Sequence, residues 1–271
     1  MSPPEPFTQL RLPMAVDGVQ LDISTLYRPG PLAPIVFLHG FGSTKEDYAD
    51  IVQHRAFAGH PFVAYDAPGC GESTCEDLSK ISIPFLLQTA TQVLAHFAIE
   101  RFHLVGHSMG GLTALMLAHQ FPERVLSFVD IEGNIAPEDC FLSRQIVDYP
   151  ADDPEVFFSA FIERTRQAPA YASALYSASL RHKVRAGAVR GIFQSMVDLS
   201  DQANLMDKFL GLHCPRLFMY GEQNAALSYL PHIQAQGVRL APIADCGHFP
   251  MYSNPIAMWQ QIADFHHSHF G

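Results

Sequence analysis

From Phe7 to Tyr27 the chain alternates apolar and polar residues in two runs, "FTQLRLPMAV" and "VQLDISTLY", joined by Asp17-Gly18. A period of two around an Asp-Gly turn predicts an antiparallel hairpin. Further along, the alternation stops. "PIVFLHG", "PFVAYD", "FHLVGHS", "LSFVDIE", "PRLFMYG" and finally "VRLAPIA" are short, nearly unbroken apolar runs, the pattern of strands covered on both faces in a parallel sheet. Helical candidates fall at residues 45–58, 83–97, 109–120 and 255–267, the last opening at Ser253-Asn254-Pro255. Strands alternating with helices specify an α/β fold with a mostly parallel sheet covered on both faces. Ligands in such sheets bind beyond the carboxyl ends of the strands.

The alternation lapses between about residues 134 and 209. This stretch is helical in pattern and carries Phe157, Phe158, Phe161, Tyr171, Tyr176 and Phe193, with no clear strand. The expected organisation is a core of residues 1–133 and 210–271 with a helical cap, 134–209, inserted over the strand ends. At least half of the cap aromatics are expected to serve its own packing.

Composition narrows the partners. A chain of 271 residues can bury a large core. No apolar segment approaches the roughly 20 residues needed to span a bilayer, so a soluble protein with no membrane partner is expected. Seventeen basic against 27 acidic residues leave a net charge of −10, which repels phosphate backbones and excludes nucleic acid as an expected partner. "MSPPEPFTQLRL" has no basic segment followed by an apolar one, so no secretory signal is expected there. Cys70, Cys75, Cys140, Cys214 and Cys246 are scattered and odd in number. Reduced thiols in the cytoplasm are the simplest account, against a Cys70–Cys75 disulfide. There is no dinucleotide fingerprint, no P-loop and no metal-spaced ligand set, so neither cofactor nor metal is expected; His266, His267 and His269 are assigned to a solvated tail. Oligomeric state is not legible.

The chemistry concentrates at "GHSMGG", Gly106 to Gly111, where an apolar run meets a helical one. A sharp strand-to-helix turn strains its central residue, needs small neighbours, and lifts the Ser108 hydroxyl to a helix amino terminus. With three further motifs in order the chain resembles the α/β-hydrolase family. "HGFG" at 39–42 is similar to that family's oxyanion loop, "DAPGCGES" at 66–73 to its next turn, and "DCGHFPMYSNP" at 245–255 to its histidine loop. The resemblance covers nearly all of the chain and implies an eight-stranded sheet and a serine hydrolase. It makes Ser108 the nucleophile, His248 its base, and the backbone N–H groups of Phe41 and Met109 the oxyanion donors. His39 is expected to hold its loop by hydrogen bonds. His107 leaves the elbow in the wrong direction to be the base; with Phe41 it is taken as a substrate contact.

The acid departs from the commoner pattern. It usually follows the seventh strand, yet "LFMYGEQNAALS" places Asn224 there. An amide cannot stabilise an imidazolium as a carboxylate does. Some family members carry the acid after the sixth strand, and "LSFVDIEGN" ends there with Asp130 and Glu132. Glu132 lies where the chain leaves the sheet, so it is the expected acid, with Glu222 and Asp245 as alternatives. The expected activity is carboxylesterase-type cleavage of a small to medium, largely apolar ester through an acyl-enzyme. A small-molecule thioester or a carbon–carbon bond are alternative substrates for the same residues, and a non-enzymatic receptor is the alternative from another class. A thioesterase for a carrier-bound chain would present a basic patch, for which Arg181, His182, Lys183, Arg185 and Arg190 are candidates.

Overall fold

The computed structural model describes residues 7–149 and 153–270. Residues 1–6, 150–152 and 271, which include all of the leading "MSPPEP" and a short part of the expected cap, lie outside the described residues.

The opening hairpin forms as its alternation predicts. Strand β1 (Thr8–Val16) pairs antiparallel with β2 (Val19–Arg28), and Asp17 and Gly18 both turn at positive φ. The unbroken apolar runs become β3 (Ile35–Leu38), β4 (Phe62–Tyr65), β6 (Phe102–His107), β7 (Val125–Ile131), β8 (Arg216–Gly221) and β9 (Arg239–Ile243). A two-residue strand, β5 (Thr74–Cys75), which its sequence does not announce, adds to β2. Along the sheet the order is β1-β2-β4-β3-β6-β7-β8-β9. The β2 edge joins β4 antiparallel, and every pair from β4 to β9 is parallel. β3 runs to β4 on one side while β6 returns to its other side, so the order reverses between β3 and β6, the crevice where such sheets bind ligands.

Three helix expectations hold closely. Helix α1 (Ile83–His96) starts at Ser82, whose hydroxyl accepts from the Phe85 amide; α2 (Met109–Gln120) starts directly after Ser108. Helix α9 (Pro255–Phe270) starts where Asn254 accepts from the Ala257 amide and runs past the expected end. Short helices α7 (Leu230–Ala235) and α8 (Pro250–Ser253) flank β9.

The expected helix at 45–58 is instead two 3₁₀ segments, Lys45–Gln53 and Arg55–Phe57, broken at the extended residue His54. The buried residues are Lys45, Tyr48 and Ile51, a spacing of three that a 3₁₀ turn superimposes on one face. Lys45 also anchors the segment: its Nζ, fully buried, lies 2.9 Å from the equally buried Asp66 carboxylate, and its amide donates to the same group. Burial alone would depress the Lys45 pKa, but Glu46 and Asp66 outweigh it and the net shift is upward. Lys45→Met keeps the stem and strands the Asp66 charge, at an expected cost of about 3–5 kcal/mol. Urea unfolding checks this; a loss below about 1 kcal/mol would mean that the Lys45 and Glu72 amides hold Asp66 unaided.

Between β7 and β8 the chain is helical: two short 3₁₀ turns, then α3 (Pro154–Gln167), α4 (Ser173–Lys183), α5 (Ala186–Gln202) and α6 (Leu205–Leu210). Phe157, Phe158 and Phe161 of α3 are buried with Phe193 of α5, while Tyr171 is exposed. The ring of Phe41, just past β3, packs within 4.6–6.4 Å of Phe158, Phe161 and Phe193. These helices therefore cover the carboxyl end of the sheet. Among the described residues no helix is long and apolar enough to cross a membrane, and all five cysteines are free thiols.

Candidate active site

β6 delivers Ser108 to the top of the sheet in the strained conformation its motif demands, with φ 52° and ψ −118°. Such backbone costs about 1–3 kcal/mol and persists only where the surroundings enforce it. They do so through glycine: a Cβ on Gly106 would lie 2.7 Å from the Gly110 carbonyl oxygen, and one on Gly110 would strike the carbonyl of Leu38.

β9 and its following loop bring His248 across to the serine. His248 Nε2 lies 2.9 Å from Ser108 Oγ, and Nδ1 lies 2.6 Å from Glu132 Oε2. A carboxylate only accepts, so Nδ1 carries the proton and Nε2 is left to accept from the serine hydroxyl. Glu132 sits one residue beyond β7 at φ 46°, a left-handed turn that carries its side chain out of the sheet. Its two oxygens also accept from the Gly221 amide and from Asn224 Nδ2, both at 2.7 Å. Asn224 thus donates to the carboxylate that meets His248. The sequence reading missed this role; an amide at that position beside a carboxylate one strand away was the available signal.

The alternative acids are not assembled with the histidine. Glu222 and Asp245 are exposed, and neither bonds His248 among the described residues. Asp130 is fully buried, accepts from the Gly133 amide, and is pushed well above the usual carboxylate range by burial.

His107 is corrected. As a substrate contact it would have to reach a cavity, but strand alternation turns it beneath the site, where it is fully buried. Its Nε2–H donates to the His248 carbonyl at 2.8 Å, so it pins the backbone of the histidine loop. Burial and the nearby His248 hold its pKa well below the ordinary value, leaving the ring neutral. His39 behaves as expected. Its Nε2 accepts from the Ala67 amide, which makes Nδ1–H the donor to Gly40 O, and the loop after β3 is tied to the turn after β4. Among the described residues, the amides of Phe41 and Met109 meet no internal acceptor. The Phe41 carbonyl is held by Tyr176 Oη at 3.0 Å.

Two cavities meet at His248, Phe141 and Leu142. A narrow one of about 10 Å³ holds Ser108 with Phe41, Phe193 and Met196. A larger one of about 250 Å³ is walled by Tyr171, Tyr176 and Phe249 and does not touch Ser108. Asp139 also lines the narrow cavity. Burial pushes its carboxyl up to about 6, against the pull of the Tyr229 hydroxyl and the amides of Ile135 and Ala136. The folded state therefore holds a proton that the unfolded chain releases near 3.8. This contribution is complete below about pH 4 and is lost as pH rises through 6, about 3 kcal/mol for a shift of two units. Asp139→Asn is expected to flatten that part of the stability profile, measured by urea midpoints across it; superimposable profiles would contradict the assignment.

Other charged groups near the site are already engaged. The carboxylates of Glu46, Asp66 and Glu72 surround Lys45 Nζ at 2.5–3.2 Å, so that acidic cluster already holds its cation. Arg181 pairs with Glu155, Lys183 donates to Tyr252 Oη at 2.6 Å, and Arg185 donates to the Gly71 carbonyl.

This fold and site define a hydrolase class, and comparison agrees: residues 35–260 match the alpha/beta hydrolase family. The chain belongs to that family. The pimeloyl-[acyl-carrier protein] methyl ester esterase of Aeromonas hydrophila is 26% identical over 85% of this chain and 94% of its own length. At 33 to 38% identity the chain spans only 25 to 44% of the length of the curated relatives it matches. Among solved structures, a carboxylesterase study of Nitrososphaera gargenis superposes with a TM-score of 0.76 at 15% identity, covering 94% of this chain and 97% of that one. An esterase of Thermogutta terrifontis gives 0.72 at 17%, covering 97% and 100%. These likenesses bear on the fold.

Proposed function

We propose that this protein is a serine carboxylesterase acting through an acyl-enzyme, with Ser108, His248 and Glu132 as its catalytic triad. The observation that carries the proposal is the unbroken relay from Ser108 Oγ through His248 to Glu132, at 2.9 and 2.6 Å. As Oγ attacks the ester carbonyl, its proton passes to His248 Nε2. The oxyanion is received by the amides of Phe41 and Met109, each worth about 3–4 kcal/mol. His248 then protonates the departing alcohol, and water activated by the same nitrogen releases the acid. Esterase names among the relatives support the bond type. Thioester cleavage through a basic docking patch is not favoured, because Lys183 and Arg185 donate to Tyr252 and to the Gly71 carbonyl and Arg181 faces the Glu155 carboxylate. The intact relay likewise disfavours a receptor without turnover. Residues 134–209 act as a cap on the core formed by 1–133 and 210–271, and the five free thiols favour a cytoplasmic setting.

Cavity sizes support a finer substrate assignment. The chamber at Ser108, about 10 Å³, is far smaller than the apolar cavity beyond His248, about 250 Å³. A short acyl group on Ser108 and a bulkier apolar alcohol in the large cavity fit this arrangement. Among p-nitrophenyl esters, kcat/KM is expected to be at least about tenfold higher for acetyl and butyryl than for octanoyl, a difference of about 1.4 kcal/mol. A steady rise with chain length would overturn the acyl-side assignment.

A further inference from the structure

Three histidines remote in sequence converge at the opposite end of the sheet from Ser108. His103 is the second residue of β6, five residues before the serine, a separation of about 16 Å along a strand. His60 immediately precedes the residues leading into β4, and His266 faces them from α9. All three are buried, and each offers one ligand atom within 4.8 Å of the others.

The outer contacts of His60 and His103 suit an ion. His60 Nδ1–H donates to the Ala33 carbonyl at 2.7 Å, so its Nε2 presents a bare lone pair to His266 Nε2, 3.1 Å away. His103 Nδ1 is bonded to Ser127 Oγ at 2.9 Å, and the ring turns a ligand nitrogen to the cluster. A carbonyl or hydroxyl on the outer nitrogen is how proteins orient imidazole ligands. Tetrahedral zinc with bonds of about 2.0–2.1 Å sets its nitrogens about 3.3–3.4 Å apart, close to the His60–His266 separation. The acidic cluster of Glu46, Asp66 and Glu72 already holds the Lys45 ammonium.

We propose that His60, His103 and His266 form a binding site for a divalent transition-metal ion, zinc in the first instance, that fastens α9 to the amino ends of β4 and β6. Three imidazole nitrogens suit a borderline-soft ion rather than calcium or magnesium. Entry of the ion requires His266 to move its proton from Nε2 to Nδ1, a tautomeric change that leaves every ring neutral. The site lies away from both cavities that meet at His248, so its role is structural, not hydrolytic.

The chelator-stripped 271-residue chain titrated with Zn²⁺ tests this, read by native mass spectrometry and by the visible spectrum of the Co²⁺ form. The expected result is one equivalent bound, a raised Tm, and unchanged ester hydrolysis. His103→Gln and His266→Gln should each weaken binding at least about tenfold, and Ser127→Ala about 10–100-fold while keeping all three ligands. Should a ligand variant fail to fold, Ser127→Ala still decides the matter. The double variant His267→Gln/His269→Gln, which removes only the neighbouring tail histidines, should bind as the native chain does. The proposal is overturned if micromolar Zn²⁺ leaves the native chain without a stoichiometric ion, or if the tail variant rather than the cluster variants loses it.

Discussion

Ser108→Ala is expected to lower ester hydrolysis about 10⁶-fold, the scale on which a serine nucleophile and its base act as one unit. The substitution removes Oγ, which lies 2.9 Å from His248 Nε2, and leaves a small residue at a turn built for one. The fold should therefore survive, with the Phe41 and Met109 amides still able to polarise a bound carbonyl. Labelling by a fluorophosphonate should vanish together with turnover, because the same oxygen must attack phosphorus. An alanine variant that keeps more than a few per cent of the native rate, or still takes the label, would place the nucleophile elsewhere and end the serine-esterase assignment.

Glu132→Gln is expected to cost about 10⁴ in kcat, roughly 5 kcal/mol. Glutamine has nearly the same shape and can still accept from the Gly221 amide. It cannot, however, neutralise the imidazolium that forms when His248 takes the serine proton, and its NH₂ competes with Nδ1–H for the correct tautomer. Asn224→Ala removes a single donor from the Glu132 carboxylate and should cost only about 10–100-fold, the worth of one hydrogen bond to a charged group. Steady-state kinetics on both variants decide between the two positions: a larger loss for Asn224→Ala than for Glu132→Gln would mean that the acid has been misplaced. KM should move little in either variant, since neither side chain lines the cavities.

The parts of the site most legible in the sequence are those encoded by local backbone demands. Ser108 needs glycine on either side within two residues, and the Asp17-Gly18 turn needs positive φ; constraints of that kind are written in adjacent letters. Glu132 was legible as a candidate partner of His248 because the end of an unbroken apolar run marks where a strand stops. His107 was misassigned because adjacency to the serine says nothing about which side of the strand a ring leaves. The 3₁₀ path over residues 45–53 was missed for a related reason: Lys45 reads as a solvent-facing cation until Asp66, 21 residues on, is found buried beside it.

The sequence by itself determined the alternation of strands and helices, the strained serine turn, and the candidates for nucleophile, base and acid, since each depends on residues close along the chain. Only the tertiary structure decided which carboxylate meets His248, that Asn224 serves that carboxylate, and that His266 belongs to a buried triad of imidazoles and not to a loose tail. Those pairings join residues 92, 116 and 206 positions apart. Strand order and helix docking bring such residues together, and no spacing along the chain encodes either.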